Sequence, residues 1–403
     1  MKSQDNEKDN RFDTDIEIGI PNLKRTNSDY LNVCYPVKSS IFPDELCFSV
    51  SSDYEDFIAD GLDCALVALI LPAMKSQSRI ILNGPVSEKL LLSCRGNLQH
   101  IVKLVLGYEP VPIIFKDGFT RDVRSQSSLT ATGFSGGVDS YSILRDFNFR
   151  DDRASRSVDF LIFSNVGANG KTSERSLFEK RLRDSSRAAQ AVGLPLLVVE
   201  SNLDDFYSIY PDLHFFKTHS FRNASVAHLL SNSISVYLYA AARTYSEVKV
   251  EPSESIGKVD PITLPMLSGE SIDIRSEGAR YSRSEKIESL LDYEVVQENL
   301  FVCVDHKHAD GNCSVCQKCV RTLLVIDMLG CVDKFSRVFD LERYYRVKNT
   351  MLVKLLSSND SFAKDIRSLI NRRSIRLPLD VIFKIRFFYW LKRIKASMKS
   401  VLL

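Results

Sequence analysis

The sequence has no marked excess of one charge and no apolar run long enough to cross a membrane. Of its 403 residues, 53 are Lys or Arg and 51 are Asp or Glu, so it lacks the overall basic field of a general nucleic-acid binder. No stretch approaches the ~20 consecutive apolar residues of a membrane helix, and no apolar signal core follows the polar N-terminus. We therefore expect a cytoplasmic protein with no membrane span and no nucleic-acid partner.

A disulfide framework is not indicated either, because the nine cysteines are odd in number and are spread over a long chain. Several of them cluster near position 313. This pattern favours a metal site over a set of disulfides. The hydrophobic fraction of 44% is sufficient to bury at least one full core.

Changes in residue pattern divide the chain into four segments. Residues 1–30 alternate in charge and have almost no apolar periodicity, which predicts a flexible arm. Residues 31–125 mix short apolar runs with two helical patterns, which predicts a small N-terminal α/β accessory unit without catalytic residue types. Residues 126–345 are expected to form the main domain. Residues 346–403 predict a helical basic tail, which either docks by its aromatic face or binds a membrane surface or a partner.

From residue 127 onward, strand-like and helix-like patterns alternate. SLTATGF predicts a strand, VDSYSILRDF a helix, VDFLIFSNVG a strand, ERSLFEKRLRDSSRAAQAVG a helix and PLLVVES a third strand. Such alternation predicts an α/β fold with a doubly wound parallel sheet, in which ligands bind at the carboxyl ends of the strands. The next segment, RNASVAHLLSNSISVYLYAAA, is expected to form one long apolar helix.

The strongest motif stands where the first of these strands meets its helix. It consists of Ser135, Gly136, Gly137, Val138, Asp139 and Ser140. Two adjacent glycines let the backbone approach an anion closely, and the helix N-terminus offers unpaired N–H groups. The serines can donate hydroxyl hydrogen bonds, whereas Asp139 is suited to orient the loop or to help hold Mg²⁺. A Gly-Gly turn capped by serine is the plainer alternative, and the Lys of a P-loop NTPase is absent.

A second motif is a cluster of cysteines with metal-ligand spacing. Its members are Cys303, Cys313, Cys316 and Cys319. Four thiolates close a tetrahedral zinc site with no open position, so the site is expected to be structural. His306 or His308 can replace one thiolate, although a loop histidine is more often simply exposed. An iron–sulfur cluster is the main rival, but Cys331 is too distant for a ferredoxin run, and unpaired buried cysteines are the third alternative.

Together, the glycine loop and the cysteine cluster resemble the 7-cyano-7-deazaguanine synthase (QueC-like) family of PP-loop ATP pyrophosphatases. That family has SGGxDS near its start and a cysteine followed by C-x2-C-x2-C near its end. The segments RAAQAVGLPLLVVESNL, Arg222-Asn223 and Arg283-Ser284-Glu285-Lys286 also resemble family segments in the same order. The resemblance covers about residues 127–330.

The resemblance implies a PP-loop fold and an ATP-dependent ligase. A carboxylate, such as a 7-deazaguanine acid, would be adenylated with release of pyrophosphate, and its acyl group would pass to ammonia or an amine. The implied cofactors are ATP, Mg²⁺ and Zn²⁺. The implied catalytic residues are Ser135, Asp139, Ser140, Arg222 and Lys286. The implied nucleotide contacts are the six loop residues, Asn165, Val166, Arg222 and Asn223.

Two departures from the family pattern concern the substrate. Asn165-Val166-Gly167-Ala168-Asn169-Gly170 stands where the family has a Tyr-Gly-Gln-Arg-His-like string, and Phe221 replaces the proline that normally precedes Arg222. The added N-terminal unit is similar to that of divergent members associated with antiphage defence loci. We therefore expect an acceptor amine on a co-encoded partner protein.

Alternatives to this reading also follow from the sequence. They are free ammonia as the acceptor, a PP-loop RNA-modifying enzyme, and a non-catalytic ATP-binding subunit of a defence complex. The N-terminal unit and the tail around Phe387, Phe388 and Trp390 would offer the partner a surface. A homodimer is compatible with the sequence.

Overall fold

A computed structural model describes residues 14–26, 29–116, 118–119, 129–151, 156–167, 175–305 and 311–387. Several predicted features lie outside the described residues. They are residues 1–13 of the arm, Ala168-Asn169-Gly170, His306, His308, Phe388 and Trp390. Among the described residues, no helix is both long enough and apolar enough to cross a membrane.

The strands that the structure describes form one mixed, mostly parallel sheet, so the predicted α/β class is confirmed. Six strand pairings are parallel and four are antiparallel. The strands are β1 (Asp15–Gly19), β2 (Asn22–Arg25), β3 (Tyr30–Lys38), β4 (Glu45–Ser51), β5 (Arg79–Asn83), β6 (Ile113–Phe115), β7 (Leu129–Gly133), β8 (Phe160–Asn165), β9 (Leu196–Ser201), β10 (Ile234–Ala240) and β11 (Asp273–Glu277).

The helices occupy the segments between and after these strands. Short 3-10 turns lie at Ser52–Phe57, Tyr245–Glu247, Ile256–Lys258 and Val332–Phe335, and a π-helical turn at Arg145–Phe149. The α-helices are α1 (Asp63–Ser76), α2 (Glu88–Arg95), α3 (Asn97–Leu106), α4 (Val138–Leu144), α5 (Arg175–Val192), α6 (Leu203–Tyr207), α7 (Phe215–Leu229), α8 (Asp260–Met266), α9 (Arg283–Glu288), α10 (Glu294–Asn299), α11 (Gln317–Met328), α12 (Leu341–Leu356) and α13 (Ser361–Arg372).

The strand order across the sheet is β11-β10-β7-β8-β9-β4-β3-β1-β5-β6, and β2 pairs with β3. The last five of the described strands, β7 to β11, are parallel to one another. Numbered along the chain, they are arranged 3-2-1-4-5, so the direction of winding reverses between β7 and β10. In open parallel sheets such a reversal is where ligands bind, outside the carboxyl ends of the strands.

The residues before 126 also contribute to this sheet. β1 lies within the segment predicted as a flexible arm, which is a correction to that expectation. Its alternating sequence DIEIG buries Ile16 and Ile18 completely, which is the period of a strand with one face in the core. The same compact unit contains β1 to β11, so the segment 31–125 is not a separate small unit.

An antiparallel seam joins the N-terminal strands to the parallel ones. Only two residue pairs, Phe48 with Ser201 and Ser49 with Glu200, make up the β4–β9 ladder. The Asn202 side chain extends it, because its Oδ1 accepts a 2.8 Å hydrogen bond from Cys47 N–H and its Nδ2 donates at 2.9 Å to the carbonyl of Glu45. At this seam, the Asn202 side chain therefore makes the hydrogen bonds that the backbone of a strand residue would otherwise make.

Two helix predictions are wrong in extent. The predicted helix RNASVAHLLSNSISVYLYAAA ends with α7, and its second half is β10. The residues after Ser233 are rich in β-branched and aromatic types, which fit a pleated sheet better than a helix. The pattern after Gly84 forms α2 and α3 rather than one helix, with the break at Gly96.

The main hydrophobic core surrounds α1. Residues 64–74 of this helix are all buried, and α1 packs against α7. A helix that is apolar on every face belongs in the interior of a protein.

Cys34 and Cys47, directly opposite each other on β3 and β4, form a disulfide that the cysteine pattern did not predict.

The chain divides into two compact units. Unit 1 consists of Met1–Phe134, Asp146–Leu182 and Leu194–Ala279, and it contains the sheet. Unit 2 consists of Ser135–Arg145, Arg183–Gly193 and Arg280–Leu403, and it contains the glycine loop and the cysteine cluster. Each predicted site is therefore described within its own unit.

Candidate functional site

Hydrogen bonds fix the glycine loop at both of its glycines. Gly136 has a φ of +66°, a conformation that favours glycine, and its carbonyl accepts a 2.8 Å hydrogen bond from Phe301 N–H. Gly137 caps α4, and its carbonyl accepts from the Ser140 hydroxyl at 3.0 Å and from Tyr141 N–H at 3.0 Å. The Ser140 hydroxyl therefore closes the turn, while the backbone of the loop is held in one conformation.

Asp139 binds two cations. Its Oδ1 accepts a 3.0 Å hydrogen bond from Lys286 Nζ, and its Oδ2 pairs with Arg283. Burial alone raises the pKa of Asp139, but the charges of Arg283 and Lys286 outweigh burial and hold that pKa well below its usual range. The carboxylate thus anchors two cations beside the loop.

Helix α9 presents both cations from one face. Arg283 and Lys286 are three residues apart, so they are neighbours on the helix surface. A capping box closes the helix N-terminus, and Ser284 donates to the carboxylate of Asp365 at 2.8 Å from its N–H and at 2.6 Å from its hydroxyl. Lys286 is only 3% exposed. The two cations are consequently held by a short, well-anchored helix.

Two further cations of unit 2 flank the ring of Tyr281. The guanidinium groups of Arg145 and Arg280 each lie 4.8 Å from the ring centroid, within the range of a cation–π interaction. Arg145 directly follows α4, and Arg280 precedes α9. Since α4 follows the glycine loop and packs against α9, these arginines add positive charge that suits an anionic ligand.

The four cysteines of the cluster lie together in unit 2, as predicted. All four Sγ atoms are within 4.8 Å of one another, with Cys303 and Cys316 at 4.0 Å and Cys313 and Cys319 at 3.9 Å. Four zinc–sulfur bonds of ~2.3 Å in a tetrahedron place the sulfur atoms about 3.8 Å apart. The cluster can therefore hold a metal ion, in a geometry compatible with zinc.

Backbone N–H groups surround the sulfur atoms of the cluster. The N–H groups of Asp305 and Cys313 each lie 3.4 Å from the Sγ of Cys303, and Cys316 N–H lies 3.2 Å from the Sγ of Cys313. Donation from the thiols of Cys303 and Cys319 lowers the pKa of Cys316, while hydrogen bonds within the cluster raise the pKa of Cys303 and the pKa of Cys319. Such contacts orient the ligands and support metal binding.

Arg222 is buried in unit 1 and is 2% exposed. Its Nε donates to the Thr218 hydroxyl and its Nη1 to the Val166 carbonyl, both at 2.8 Å, and Nη1 also pairs with Asp204. The guanidinium carbon lies 3.9 Å from the ring centroid of Tyr207. Arg222 is therefore a buried cation with protein partners that fixes the chain after β8.

Gly167 completes this arrangement. It has a φ of +107°, and a Cβ at this position would collide with Nη1 of Arg222 and lie 2.6 Å from Oδ1 of Asp204. Only glycine fits between the two charged groups in this backbone conformation.

Asn223 ties α7 to the end of β8. Its Oδ1 accepts from the Ser164 hydroxyl at 2.7 Å, and its Nδ2 donates to the carbonyl of His219 at 2.7 Å. Asn165 pairs with Glu200 in the β8–β9 ladder. The four predicted nucleotide contacts outside the loop thus lie together at the carboxyl end of β8.

A second polar group, which was not predicted from the sequence, lies at the carboxyl end of β10. Nδ1 of His219 hydrogen-bonds the Tyr239 hydroxyl at 2.6 Å, and burial lowers the pKa of His219. Oδ1 of Asp260 accepts from the Ser220 hydroxyl at 2.7 Å, whereas its Oδ2 has no hydrogen-bond partner among the described residues. Burial raises the pKa of Asp260. This buried, incompletely paired carboxyl group is suited to contact a polar ligand.

The predicted site residues therefore form two groups in different units. The loop and Lys286 meet in unit 2, and Asn165, Val166, Arg222 and Asn223 meet in unit 1. Sequence reasoning missed the role of Arg283, although its spacing from Lys286 was a usable signal. No family model, no curated protein and no solved structure matches the chain.

Proposed function

We propose that the protein is an ATP-dependent ligase that forms AMP and pyrophosphate, with residues 135–140 as its pyrophosphate site. The observation that carries the proposal is the pairing of Asp139 with Arg283 and Lys286 beside a doubly fixed glycine loop. The loop follows β7, the strand at which the sheet order reverses. Its resemblance to the SGGxDS motif of PP-loop ATP pyrophosphatases supports the same reading.

In the proposed reaction a carboxylate oxygen attacks the α-phosphorus of ATP. The bond from that phosphorus to the bridging oxygen breaks, and pyrophosphate leaves with the electron pair. An amine nitrogen then attacks the acyl carbon, loses a proton, and displaces AMP. Arg283 and Lys286 act on the leaving pyrophosphate, because positive groups fixed where negative charge develops lower the barrier without reorganising.

The remaining residues take positioning roles in this proposal. Within unit 1, Arg222 and Gly167 fix the Val166 carbonyl, and Asn223 fixes Ser164, so that the chain after β8 is held in one conformation. Mg²⁺ would bind together with ATP, on its phosphates. A zinc ion would bind the four cysteines of the cluster and cross-link the segments that carry them.

The choice of acceptor for the acyl group is based on the two departures from the family pattern. The Gly167 region and Phe221 replace residues that line the family's pocket, so we propose an amine on a co-encoded protein rather than ammonia as the acceptor. A 7-deazaguanine acid is the proposed acyl donor. Transfer to a protein would raise its intact mass, whereas ammonia would give a free amide or nitrile.

The test is product analysis with ATP, Mg²⁺, 7-carboxy-7-deazaguanine, and either ammonium or the co-encoded proteins. The wild-type protein should give equal amounts of AMP and pyrophosphate. Asp139→Asn and Lys286→Ala should each lower the rate by ~100-fold or more, the usual effect of losing one fixed contact to a developing charge.

Asp327→Asn is the matched control. Asp327 also lies in unit 2, pairs with Lys348, and accepts from the Tyr344 hydroxyl at 2.7 Å. It should retain the wild-type rate. Formation of ADP, or wild-type rates in both Asp139→Asn and Lys286→Ala, would refute the proposed site. Tight ATP binding without products would support a nucleotide-binding subunit instead.

A further inference from the structure

A short segment connects the metal cluster to the glycine loop. We call residues 299–303 the strap. It runs from the end of α10 to Cys303, the first cysteine of the cluster. At its centre, Phe301 N–H donates to the carbonyl of Gly136 at 2.8 Å. The carbonyl oxygen of Phe301 lies 3.5 Å from the position that a Cβ on Gly137 would take, so the strap contacts both glycines.

Asn312 holds the strap in place. Its Oδ1 accepts from Val302 N–H at 2.9 Å and from Cys303 N–H at 3.1 Å. Its Nδ2 donates to the carbonyls of Leu300 at 2.8 Å and Val338 at 3.0 Å. A primary amide offers two acceptor sites and two donor hydrogens, so these contacts use its full capacity. The side chain is buried, and its hydrogen bonds to the backbone of the strap take the place of those that a neighbouring β-strand would make.

Asn312 also stands directly before Cys313, the second cysteine of the cluster. A metal ion bound to Cys303 and Cys313 fixes the distance between the strap and the backbone that carries Asn312. Without a metal ion, no bond links Cys303 to Cys313, and the amide contacts alone must maintain that distance. Metal occupancy therefore determines how firmly Asn312 holds the strap against the loop.

We infer that Asn312 is a positioning residue through which the occupied metal site fixes the glycine loop in its anion-binding conformation. This inference rests on the proposed role of the loop as a pyrophosphate site. The path has three steps, from Cys303 and Cys313 to Asn312, from Asn312 to the strap, and from Phe301 to Gly136. All of these residues belong to unit 2.

The experiment is calorimetric titration of the zinc-loaded protein with pyrophosphate. Asn312→Ala should weaken pyrophosphate binding by at least ten-fold while the protein still contains one zinc per chain by elemental analysis. Gln99→Ala is the matched control, because Gln99 is a buried amide that donates to Cys94 and Val111 carbonyls at 2.8 and 3.0 Å and accepts from Val111 N–H at 2.8 Å. Both variants should lower the Tm, but only Asn312→Ala should lower the affinity.

Hydrogen exchange in the wild-type protein provides a second readout that a purely structural role would not change. The N–H groups of Val302 and Cys303 face Asn312 rather than the loop, yet pyrophosphate should slow their exchange, because coupling between two sites is reciprocal. This measurement decides the question if Asn312→Ala loses its metal or fails to fold. Wild-type affinity in zinc-loaded Asn312→Ala, or unchanged exchange at Val302 and Cys303 on saturation, would overturn the inference.

The outcome also separates this inference from the proposed function. If zinc-loaded wild-type protein binds no pyrophosphate, the proposed function fails. The coupling is then judged by the Phe301 amide, whose exchange should accelerate when a chelator removes the metal at low temperature. Unchanged Phe301 exchange after complete metal removal would overturn the coupling as well.

Discussion

At the scale of single residues, Gly167 has the strictest requirement in the candidate site of unit 1. Its positive φ and the closeness of Arg222 and Asp204 leave no space for a side chain. A Cβ here would strain the backbone and would also displace a buried cation from its carboxylate partner. Both effects bear on stability before they bear on chemistry.

We predict that Gly167→Ala lowers the free energy of unfolding by roughly 3 kcal/mol or more. Positive-φ strain contributes about 1–2 kcal/mol, and disturbance of a buried ion pair adds to it. Gly107→Ala is the control, since Gly107 has a φ of +74° with no atom within 4 Å of the added Cβ. It should lose only about 1 kcal/mol in the same urea titration. Equal losses in both variants would show that Arg222 and Asp204 can move aside.

Single residues were predictable from the sequence only where the motif itself carries the chemistry. The glycine pair and the four cysteines are adjacent or regularly spaced, and their spacing implies an anion loop and a metal site. Arg283 contacts Asp139 across 144 positions, and no local pattern indicates which distant cation will pair with that carboxylate. The role of Asn312 was not predictable either, because its side chain hydrogen-bonds backbone groups and not the residues next to it in the sequence.

At the scale of elements, the start of α1 contains a buried carboxyl group close to a buried histidine. Asp63 accepts a 2.7 Å hydrogen bond from Ser87 N–H, and its Oδ2 lies 3.9 Å from Nδ1 of His228. Burial, with a further contribution from Glu270, raises the pKa of Asp63 to about 7. Burial also lowers the pKa of His228 to about 4, although its contact with the Leu267 carbonyl opposes this.

These two shifts act on stability with opposite signs. A raised carboxyl pKa means that the folded state holds more protons than the unfolded state between pH 3.8 and about 7, so stability falls as pH rises through that window. A lowered histidine pKa means that the unfolded state holds more protons between about 4 and 6.5, so stability rises with pH there. The contributions of these two groups should therefore largely cancel between about pH 4 and 6.5.

We predict that Asp63→Asn removes the falling contribution and keeps the rising one. The difference in unfolding free energy between variant and wild type should grow from pH 4 to pH 7, by up to about 4 kcal/mol, and then level off. Urea titrations at half-unit pH steps measure it. A difference that is independent of pH would show that Asp63 is ionised throughout this range.

Elements were predictable where their period was regular. The three strands β7, β8 and β9 and the helices α4 and α5 coincide with their predicted segments, because turns separate short runs of consistent pattern. The boundary between α7 and β10 was missed, since both are apolar and only Ser231-Asn232-Ser233 separates their patterns. Burial in the core removes the polar face that would have distinguished a helix from a strand.

At the scale of the whole chain, the seam between β4 and β9 decides whether the N-terminal strands belong to the sheet. It consists of two backbone pairs, the side-chain hydrogen bonds of Asn202, and hydrogen bonds from Asn202 N–H and the Ser201 hydroxyl to the Cys47 carbonyl. This connection was not predictable from the sequence, because the contacts join segments that are 155 residues apart and no residue type indicates such a pairing. An independent accessory unit was the simpler expectation from pattern alone.

We predict that Asn202→Ala lowers the free energy of unfolding by about 1–3 kcal/mol and selectively accelerates hydrogen exchange in β3 and β4. The Cys47 N–H and the Glu45 carbonyl would lose their partners. Asn32→Ala is the control, since Asn32 lies on β3 and its side chain makes an exposed hydrogen bond to the Thr26 hydroxyl. It should change neither quantity measurably. Unaltered exchange in β3 and β4 of Asn202→Ala would show that the backbone pairs suffice.

The seam also has a consequence for synthesis on the ribosome. The sequence separation between Cys47 and Asn202 is 155 residues. At ~5–20 residues per second, β4 is complete roughly 8–30 s before its partner strand exists. During that interval its outer edge carries unpaired N–H and C=O groups, which are a template for pairing with another nascent chain. The protein should therefore depend on chaperones in proportion to the time for which that edge stays unpaired.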